Sequence, residues 1–396
     1  MHEERLTSED SPATHGAWEG AAYAAVSRYE GRRKRVLLTG ATGFLGGAFL
    51  AHARAHDDLE WVLPARGASD ADARERVARR LSRFLGEAEV ARVLARAQVV
   101  CADLMTRDGL ARLPLEGVTH VVHLAANTSF IAKKGVWEMN YEGTRALAER
   151  LRDAPALERF VYVGTAMICG GRPSETVVED SYPDADAEHL VPYTASKAAA
   201  EAMLRQDFPE LPLVVVRPSI VIGHSTLGCA PSGSIFWVVR ALERVRLLSG
   251  AACAGLDVVP ADYVALALDH LTFSRSLRHR TYHISAGRES ATSIRETAAR
   301  IAAARVEPLE DFTIIASADV KKHKHRIVEA FGATNGRRVQ MALGLYLRFC
   351  ELNVCFDNAR LRAEGLPPAP KLLDYLDVCL AASAHLSIAE QADDEI

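Results

Sequence analysis

The sequence predicts an α/β fold, in which a doubly wound parallel sheet carries a smaller, mostly helical cap. Three observations predict this fold. Short apolar runs alternate with segments of helical periodicity, a glycine-rich turn follows the first run, and the alternation weakens after Pro218. Strands that are apolar along their whole length are typical of a parallel sheet covered on both faces. Because crossovers between parallel strands are right-handed, we expect helices on both faces of the sheet.

Six apolar runs are the predicted strands of the main sheet. They are Arg35–Thr39, Trp61–Leu63, Gln98–Cys101, Val118–Leu124, Phe160–Val163 and Leu213–Val216. Two more strand-like runs occur around Val258–Val259 and at Tyr282–Ile284, and the residues after 290 are mostly helical in pattern. Between the second and third strands, the spacing of apolar residues predicts a helix over 72–96.

Composition and charge narrow the class of protein. Apolar residues make up 49% and charged residues 25% of the 396-residue chain, as in ordinary globular proteins. The net charge of -4 gives no reason to expect nucleic acid as a partner. Charged residues interrupt the long apolar runs, so no transmembrane segment is predicted. The seven cysteines include no C-x-x-C pair and the acidic N-terminus is unlike a secretory signal, which favours a cytoplasmic protein with reduced thiols and no metal site.

A glycine-rich turn follows the first strand and precedes a helix. Its candidate ligand-binding residues are Gly40, Thr42, Gly43, Phe44, Leu45 and Gly46. The first glycine permits a sharp turn, the second lets a pyrophosphate approach the backbone, and the third lets the helix pack closely on the strand. The helix N-terminus also offers unpaired N–H groups to phosphates. A tight turn without a ligand is the alternative, but the strand before and the helix after favour a Rossmann-type dinucleotide site.

An arginine after the second strand bears on the choice of cofactor. An acidic residue about twenty positions after the turn would bind the ribose 2′-hydroxyl of NAD, whereas arginine suits the 2′-phosphate of NADP. Arg66 stands at that distance from Gly46, which favours NADPH, with a solvated loop arginine as the alternative. Asp103 follows the third strand, where it would either accept a hydrogen bond from the adenine amino group or cap a helix.

Tyr193 and Lys197 are the candidate proton-transfer pair. Because they are four residues apart, they share one face of a predicted helix. A free tyrosine has a pKa near 10, and a nearby lysine cation favours the phenolate. We therefore expect Lys197 to lower the pKa of Tyr193 toward neutral pH, with an exposed helical pair as the alternative. Thr165, after the fifth strand, would hydrogen-bond a substrate carbonyl oxygen, unless it is only a turn residue.

Together these motifs resemble the extended short-chain dehydrogenase/reductase superfamily, over about residues 34–290. The motifs that share its order and approximate spacing are the glycine turn, Asp103-Leu104, His123-Leu124-Ala125-Ala126, Asn140-Tyr141-Glu142-Gly143-Thr144, Thr165, Tyr193 with Lys197, and Arg217-Pro218-Ser219. The resemblance implies that Thr165, Tyr193 and Lys197 form the catalytic triad and that Asn140 supports its hydrogen bonds. It also implies cofactor contacts for Leu104, Ala125, Ala126, Lys197, Pro218 and Ser219.

Within this superfamily, the chain is most similar to the thioester reductase and fatty acyl-CoA reductase branch, whose NAD-binding domain is of the male-sterility type. The segments that carry the similarity are Thr39–Gly46, His123–Phe130, Arg217–Gly223, Phe356–Asn358 and Leu366–Pro368. One departure is Gly164, because the family often has a serine before the threonine of the fifth-strand motif.

The resemblance implies hydride transfer from NADPH to an acyl thioester. Tyr193 would protonate the oxyanion, Thr165 would stabilise it, and the hemithioacetal would collapse to a thiol and an aldehyde, with a second reduction to the alcohol left open. No adenylation or carrier domain is recognisable, so we expect an acyl-CoA or acyl-carrier-protein thioester as the substrate. The candidate substrate contacts are Asn127, Lys133, Met167 and His224.

These interpretations divide the chain into three predicted parts. Residues 1–30 are an N-terminal extension, residues 31–223 and 255–290 form an NADP-binding Rossmann domain, and residues 224–254 and 291–396 form a substrate-binding cap. The basic run at 321–326 would bind phosphates of coenzyme A or an acidic carrier, although a solvated helix face is favoured. The predicted core of the cap includes Trp237, Leu343, Tyr346, Leu347 and Cys350, part of which would line an acyl channel.

Two other functions stay open from the sequence. One is another enzyme of the extended superfamily, either a ketone or hydroxysteroid-type dehydrogenase or a nucleotide-sugar epimerase or dehydratase. The sugar enzymes generally hold NAD, so Arg66 argues against them. The other is a non-enzymatic, NADP-sensing protein, which would tend to lose the tyrosine or lysine that this chain keeps. Fold alone does not decide between them.

Overall fold

In the computed structural model, the described residues form a central parallel sheet of seven strands. These residues are 33–130, 134–182, 187–232, 234–249, 255–305 and 312–393. The predicted extension at 1–30 and the candidate substrate contact Lys133 lie outside them.

The order of the strands makes the sheet doubly wound. The strands are β1 (Lys34–Thr39), β2 (Leu59–Ala65), β3 (Ala97–Cys101), β4 (Val118–His123), β5 (Arg159–Val163), β6 (Leu213–Pro218) and β7 (Thr281–Ile284). Their spatial order is β3-β2-β1-β4-β5-β6-β7, and every neighbouring pair is parallel. The six predicted sheet strands and the predicted fold class are confirmed, and the run at Tyr282–Ile284 joins the sheet as its edge.

Short ladders lie beside the main sheet. Gly255–Leu256 pairs antiparallel with Thr292–Ser293. The parallel pairs are Val258–Val259 with Ile220–Val221, Thr313–Ile315 with Leu247–Ser249, and Cys355–Phe356 with Thr176–Val177. The strand-like run at Val258–Val259 therefore lies outside the main sheet.

Helices cover both faces of the sheet and make up most of the chain after β7. They are α1 (Phe44–His52), α2 (Asp70–Leu81), α3 (Glu87–Ala95), α4 (Arg107–Ala111), α5 (Thr144–Leu151), α6 (Pro192–Asp207), α7 (Phe236–Arg244), α8 (Ala261–Phe273), α9 (Gly287–Ser290), α10 (Ile294–Arg305), α11 (Lys324–Glu351), α12 (Ala359–Ala363), α13 (Leu372–Ser383) and α14 (Ile388–Asp393). None of the helices within the described residues is long and apolar enough to cross a membrane.

The prediction of one helix over 72–96 is wrong, because two helices occupy this stretch. Ser69 begins α2 by accepting a hydrogen bond from the N–H of Asp72 at 3.2 Å. The chain leaves the helix after Ser82, and Gly86 has extended torsions directly before α3. Both helices place apolar residues inward, so their combined periodicity conceals the break between them.

Alternate residues of β1 point to opposite faces of the sheet. Val36 and Leu38 belong to the buried cluster on one face, and Leu37 belongs to the cluster on the other. This alternation follows from the pleat of a strand and explains why the strand is apolar throughout. A third buried cluster, around Trp237 and Leu343, lies in the predicted cap.

Candidate active site

A cavity of about 440 Å³ opens at the carboxyl ends of β1, β4, β5 and β6. The residues directly after these strands, Gly40, Leu124, Gly164 and Ser219, line it. Because the strand order reverses between β1 and β4, this is where doubly wound sheets bind ligands. The predicted site residues that line the cavity are Gly40, Gly43, Phe44, Leu45, Gly46, Ala126, Thr165, Met167, Tyr193, Lys197, Pro218 and Ser219.

The glycine turn leaves no space for a side chain at two of its positions. Gly40 has a φ of +79°, and a Cβ atom there would lie 2.8 Å from the backbone nitrogen of Ala125. A Cβ atom at Gly46 would lie 2.1 Å from the carbonyl oxygen of Gly40. Only glycine therefore lets α1 pack this closely on the turn that precedes it.

The start of α1 fits an anionic ligand. Gly43 stands at the N-cap, where it has no side chain to accept a hydrogen bond from the helix, and the first turn contains no acidic residue. The first N–H groups of a helix need acceptors, and the helix dipole favours negative charge there. The turn therefore suits the pyrophosphate of a nicotinamide dinucleotide.

Arg80 is a cavity residue that the sequence analysis missed. Its Nε atom donates to the carbonyl oxygen of Thr42 at 2.9 Å, and its Nη1 atom donates to that of Pro231 at 3.0 Å. The guanidinium thus joins α2, the glycine turn and the loop before α7 at the edge of the cavity. The neighbouring Arg79 is exposed and pairs with Glu75, so helical periodicity alone does not single out Arg80.

Five predicted cofactor residues do not line this cavity: Thr42, Arg66, Asp103, Leu104 and Ala125. Arg66 is exposed directly after β2. The carboxylate of Asp103 accepts a hydrogen bond at 3.0 Å from the backbone two residues further on. Leu104 lines a separate surface groove. The N-cap of α4 is Thr106, whose hydroxyl accepts from the helix backbone, so Asp103 does not cap this helix.

Tyr193 and Lys197 lie one turn apart at the start of α6, where Pro192 occupies the first helical position. Burial raises the pKa of Tyr193 to about 12, and an interaction with the Thr165 side chain acts in the opposite direction. The expectation that Lys197 lowers the pKa of Tyr193 is therefore wrong for this structure, because desolvation of the phenolate dominates. The phenol is protonated at neutral pH.

Lys197 is 2% exposed and lies against an aromatic ring. Its Nζ atom is 4.5 Å from the centre of the Tyr162 ring, which partly replaces the lost hydration by a cation–π contact. Burial lowers the pKa of Lys197 to about 7, while the negative charge of Glu201 raises it. Lys197 is thus a lysine that exchanges a proton near neutral pH.

Asn140 joins the loop after β4 to α6. Its Nδ2 atom donates to the carbonyl oxygen of Asn127 at 2.9 Å and to Oγ of Ser196 at 3.0 Å. Its Oδ1 atom accepts from the N–H of Asn127 at 2.8 Å. Ser196 in turn donates to the carbonyl oxygen of Tyr193 at 2.8 Å. Asn140 therefore positions α6 and does not line the cavity itself.

His123 connects the hydrogen bonds around Asn140 to β1. Its Nδ1 atom lies 2.7 Å from Oγ1 of Thr39, and its Nε2 atom lies 3.0 Å from Oγ1 of Thr144. Thr144 donates to the carbonyl oxygen of Asn140 at 2.7 Å. Burial, and to a smaller extent the positive charge of Lys197, lowers the pKa of His123 to about 3. The imidazole is therefore neutral, and it links Thr39 to Thr144.

The candidate substrate contacts within the described residues are Asn127, Met167 and His224, and they differ in position relative to the cavity. Met167 lines the cavity. The Asn127 side chain accepts a hydrogen bond from the N–H of Ser129 at 3.1 Å and so shapes its own loop. His224 does not line the cavity: its ring packs against Phe84, and its Nδ1 atom lies 3.7 Å from Oδ1 of Asp262.

Phe130 is an aromatic residue of the site that the sequence analysis did not single out. Its ring stacks on Tyr193, with 6.0 Å between the ring centres, and it lines the cavity. The ring also lies against Tyr346 and Phe349 of α11, with 5.0 and 5.1 Å between the ring centres. The segment His123–Phe130 carries the family similarity but does not show these contacts, because the partners of Phe130 are more than sixty residues away along the chain.

Comparison with known proteins decides the family of the chain. A family model described as male sterility protein, a NAD-binding domain, matches residues 38–268, which is more than half of the chain. The chain belongs to this family. The predicted resemblance to the extended short-chain dehydrogenase/reductase superfamily and its thioester reductase and fatty acyl-CoA reductase branch is confirmed, and the family is one of NAD(P)-dependent oxidoreductases.

Individual relatives of this male sterility family member are distant in sequence. It is 25% identical over 273 residues to the putative fatty acyl-CoA reductase CG8303 of Drosophila melanogaster, covering 58% of this chain and 50% of that protein. It is 27% identical over 274 residues to fatty acyl-CoA reductase 2 of Mus musculus, covering 58% and 53%. The chain thus spans about half the length of these curated relatives.

The fold is also similar to solved structures. The terminal R domain of the myxalamid PKS-NRPS biosynthetic pathway superposes with a TM-score of 0.73 at 19% identity, covering 93% of this chain and 97% of that one. At this identity the likeness establishes the fold, including the helical segments that follow the sheet.

Proposed function

We propose that this protein reduces an acyl thioester to an aldehyde, with NADPH as the hydride donor. One observation carries the proposal: Thr165, Tyr193 and Lys197 line the same cavity as the glycine turn. A bound dinucleotide and a substrate carbonyl would therefore meet at the Tyr193 phenol. Relatives named as fatty acyl-CoA reductases support a thioester as the electrophile, and the fold is similar to that of the terminal R domain from the myxalamid PKS-NRPS biosynthetic pathway.

Tyr193 is the proton donor in this reaction. When bound, the nicotinamide supplies a hydride to the thioester carbonyl carbon. The carbonyl oxygen gains negative charge, accepts a hydrogen bond from Thr165 and takes the proton of the Tyr193 phenol. A pKa of about 12 suits this direction of reaction, because it keeps Tyr193 protonated until the oxyanion develops. The hemithioacetal then expels the thiol and leaves the aldehyde.

Lys197 and Asn140 assist this proton transfer in different ways. The Lys197 ammonium stabilises the phenolate that Tyr193 becomes, and with its pKa of about 7 it is able to return a proton. It would also hold the ribose hydroxyls of the nicotinamide half. Asn140 is a positioning residue, because it holds α6 through Ser196 without reaching the cavity.

We assign NADPH as the cofactor because of two arginines. Arg66 follows β2, the position that suits a 2′-phosphate, and its exposed guanidinium is accessible from solvent. Arg80 adds a second positive charge at the edge of the cavity. The thiol carrier would be coenzyme A or an acyl carrier protein.

Purified protein tests the proposal directly. NADPH absorbance is followed with acyl-CoA thioesters, acyl-carrier thioesters, aldehydes, ketones and sugar nucleotides. We expect oxidation of NADPH with thioesters, together with release of a free thiol that a thiol reagent detects. Oxidation with ketones or sugar nucleotides, but with no thioester, would overturn the proposal in favour of another extended-superfamily activity. Detection of alcohol in place of aldehyde would show a second reduction.

A further inference from the structure

Phe130 contacts two helices beside the candidate active site. Its ring stacks on that of Tyr193, with 6.0 Å between the ring centres and 24° between the ring planes. Its ring centre also lies 5.0 Å from that of Tyr346 and 5.1 Å from that of Phe349. Offset and tilted pairs of this kind are the arrangements that aromatic rings prefer. One side chain of the loop after β4 therefore connects the proton donor on α6 to α11 of the predicted cap.

The rings of the cap that meet Phe130 are held firmly. Tyr346 meets the ring of Trp237 edge-on, with 5.6 Å between the ring centres. Trp237 lies on α7 and is completely buried in the apolar cluster that α7 and α11 share. Phe349 is also buried. Because close packing leaves such rings little freedom to move, they present a fixed surface to Phe130.

The Tyr193 ring is less restrained by its surroundings. It is half-buried in the first turn of α6, and it lines the cavity, where no protein atom packs against it. Its interaction with the Thr165 side chain restrains one point of the phenol, whereas a stacked ring also restrains the plane of the phenol. Orientation matters here, because a general acid has to bring its proton within roughly 2.6–3.2 Å of the accepting atom.

We propose that Phe130 is a positioning residue, which holds the Tyr193 ring in the orientation that donates the proton. The inference rests on the role of Tyr193 in the proposed function and adds the residue that orients it. Phe130 acts through Tyr193, because a phenyl ring has no proton to exchange. Its ring also displaces water beside the phenol, in agreement with the burial that raises the pKa of Tyr193 to about 12.

Replacement of the ring tests this role. Phe130→Leu keeps an apolar side chain but removes the flat face, so we expect kcat for thioester reduction to fall at least about tenfold. The affinity for NADPH should change by less than about twofold, because the glycine turn is untouched. Phe130→Tyr keeps the ring and should retain kcat within about threefold. The matched control is Phe331→Leu with unchanged kcat, because Phe331 packs in the cap outside the cavity.

A double-mutant cycle separates positioning from simple packing. If Phe130 acts through the phenol, Phe130→Leu should lower kcat by less than about twofold once Tyr193→Phe has removed the hydroxyl group. If Phe130 only packs the site or contacts the substrate, the two losses multiply. Thermal unfolding checks that each variant is folded, and Phe130→Met replaces Phe130→Leu if the leucine variant does not fold.

The outcomes distinguish this inference from the proposed function. If thioesters are reduced but Phe130→Leu leaves kcat unchanged, or its effect multiplies with that of Tyr193→Phe, the positioning inference is wrong and the reductase function stands. If only another carbonyl compound is reduced, the thioester function fails and the same cycle is measured with that compound. Non-additive losses then support the inference, and multiplicative losses overturn it. Oxidation of NADPH by none of the compounds overturns both proposals.

Discussion

Arg217 holds the carboxylate of Glu201 with two hydrogen bonds, of 3.0 and 2.6 Å, in the interior of the protein. Both residues are 1% exposed. The ion pair joins β6, which ends at the cavity, to α6, which carries Tyr193 and Lys197. Through these two hydrogen bonds, each charge compensates the other for its lost hydration. Burial of either side chain therefore depends on the presence of its partner.

Loss of one partner of this pair should destabilise the protein strongly. We expect Glu201→Gln to lower the free energy of unfolding by about 3–5 kcal/mol, because Arg217 would remain as an uncompensated buried charge. Urea unfolding measures the change. The double variant Glu201→Gln/Arg217→Met should recover part of the loss. A single variant within about 1 kcal/mol of the unmodified protein would contradict this account.

The phenol of Tyr193 should be required for catalysis but not for cofactor binding. We expect Tyr193→Phe to lower kcat/KM for thioester reduction by about 10²–10⁴-fold, the usual contribution of a general acid. NADPH affinity, measured by the fluorescence of the bound nicotinamide, should be nearly unchanged. Tyr141→Phe, on the π-helix at Glu138–Gly143, is the control and should retain activity.

Cofactor choice should depend on Arg66. A charge-assisted hydrogen bond contributes about 1.5–3 kcal/mol, so Arg66→Ala should weaken NADPH binding by roughly 10–100-fold. NADH binding should not change, because NADH lacks the 2′-phosphate. The control is Arg79→Ala, which removes an exposed arginine that pairs with Glu75. Equal affinity of the Arg66→Ala variant and the unmodified protein for NADPH would remove Arg66 from the cofactor site.

Substitution by alanine should have very different effects at two glycines, Gly46 in α1 and Gly86 directly before α3. A Cβ atom at Gly46 would lie 2.1 Å from the carbonyl oxygen of Gly40, so Gly46→Ala must displace the turn. We expect a loss of about 1–3 kcal/mol in unfolding free energy and weak dinucleotide binding. A Cβ atom at Gly86 would meet no heavy atom within 4 Å, and the φ of this residue is -70°, so Gly86→Ala should change neither property appreciably.

The link between His56 and Asp269 should make stability depend on pH. Nε2 of His56 lies 2.8 Å from Oδ1 of Asp269, which is completely buried on α8. Burial lowers the pKa of the imidazole, but the hydrogen bond and the charge of Asp269 outweigh this effect, so the pKa of His56 is raised above 6.5. The folded state therefore binds the proton more tightly than the unfolded state.

This stabilisation is complete below the unfolded pKa of about 6.5 and is lost as the pH rises through the higher folded value. We expect His56→Gln to lower the unfolding free energy more at about pH 5.5 than at about pH 8.5. Urea titrations at the two pH values measure the difference. The exposed His325 provides the control, His325→Gln. An equal loss at both pH values would mean that protonation of His56 does not contribute.

Much of the fold was predictable because it depends on residues that are close in the chain. The apolar runs of β1 to β6 identified the sheet, since a strand buried on both faces has to be apolar throughout. The break between α2 and α3 was not predictable in the same way. Both helices face the same core, and the turn at Gly86 does not interrupt the periodicity of the apolar residues.

The residues of the candidate site also differ in whether nearby sequence could predict them. The glycine turn and the spacing of Tyr193 and Lys197 are local, and the cavity brings them together. Arg80 and Phe130 reach the cavity only through contacts with distant segments, such as the bond of Arg80 to Pro231, 151 positions away. No pattern within one helix or loop contains that information.

By itself, the sequence determined the order of the sheet strands, the position of the dinucleotide turn and the residue types of the candidate proton-transfer pair. Only the tertiary structure decided the charge states in the site. Tyr193 has a raised pKa because burial disfavours the phenolate, and Lys197 has a lowered pKa because burial disfavours the ammonium ion. Desolvation depends on every segment packed around a group, so the spacing of two residues along a helix cannot specify it.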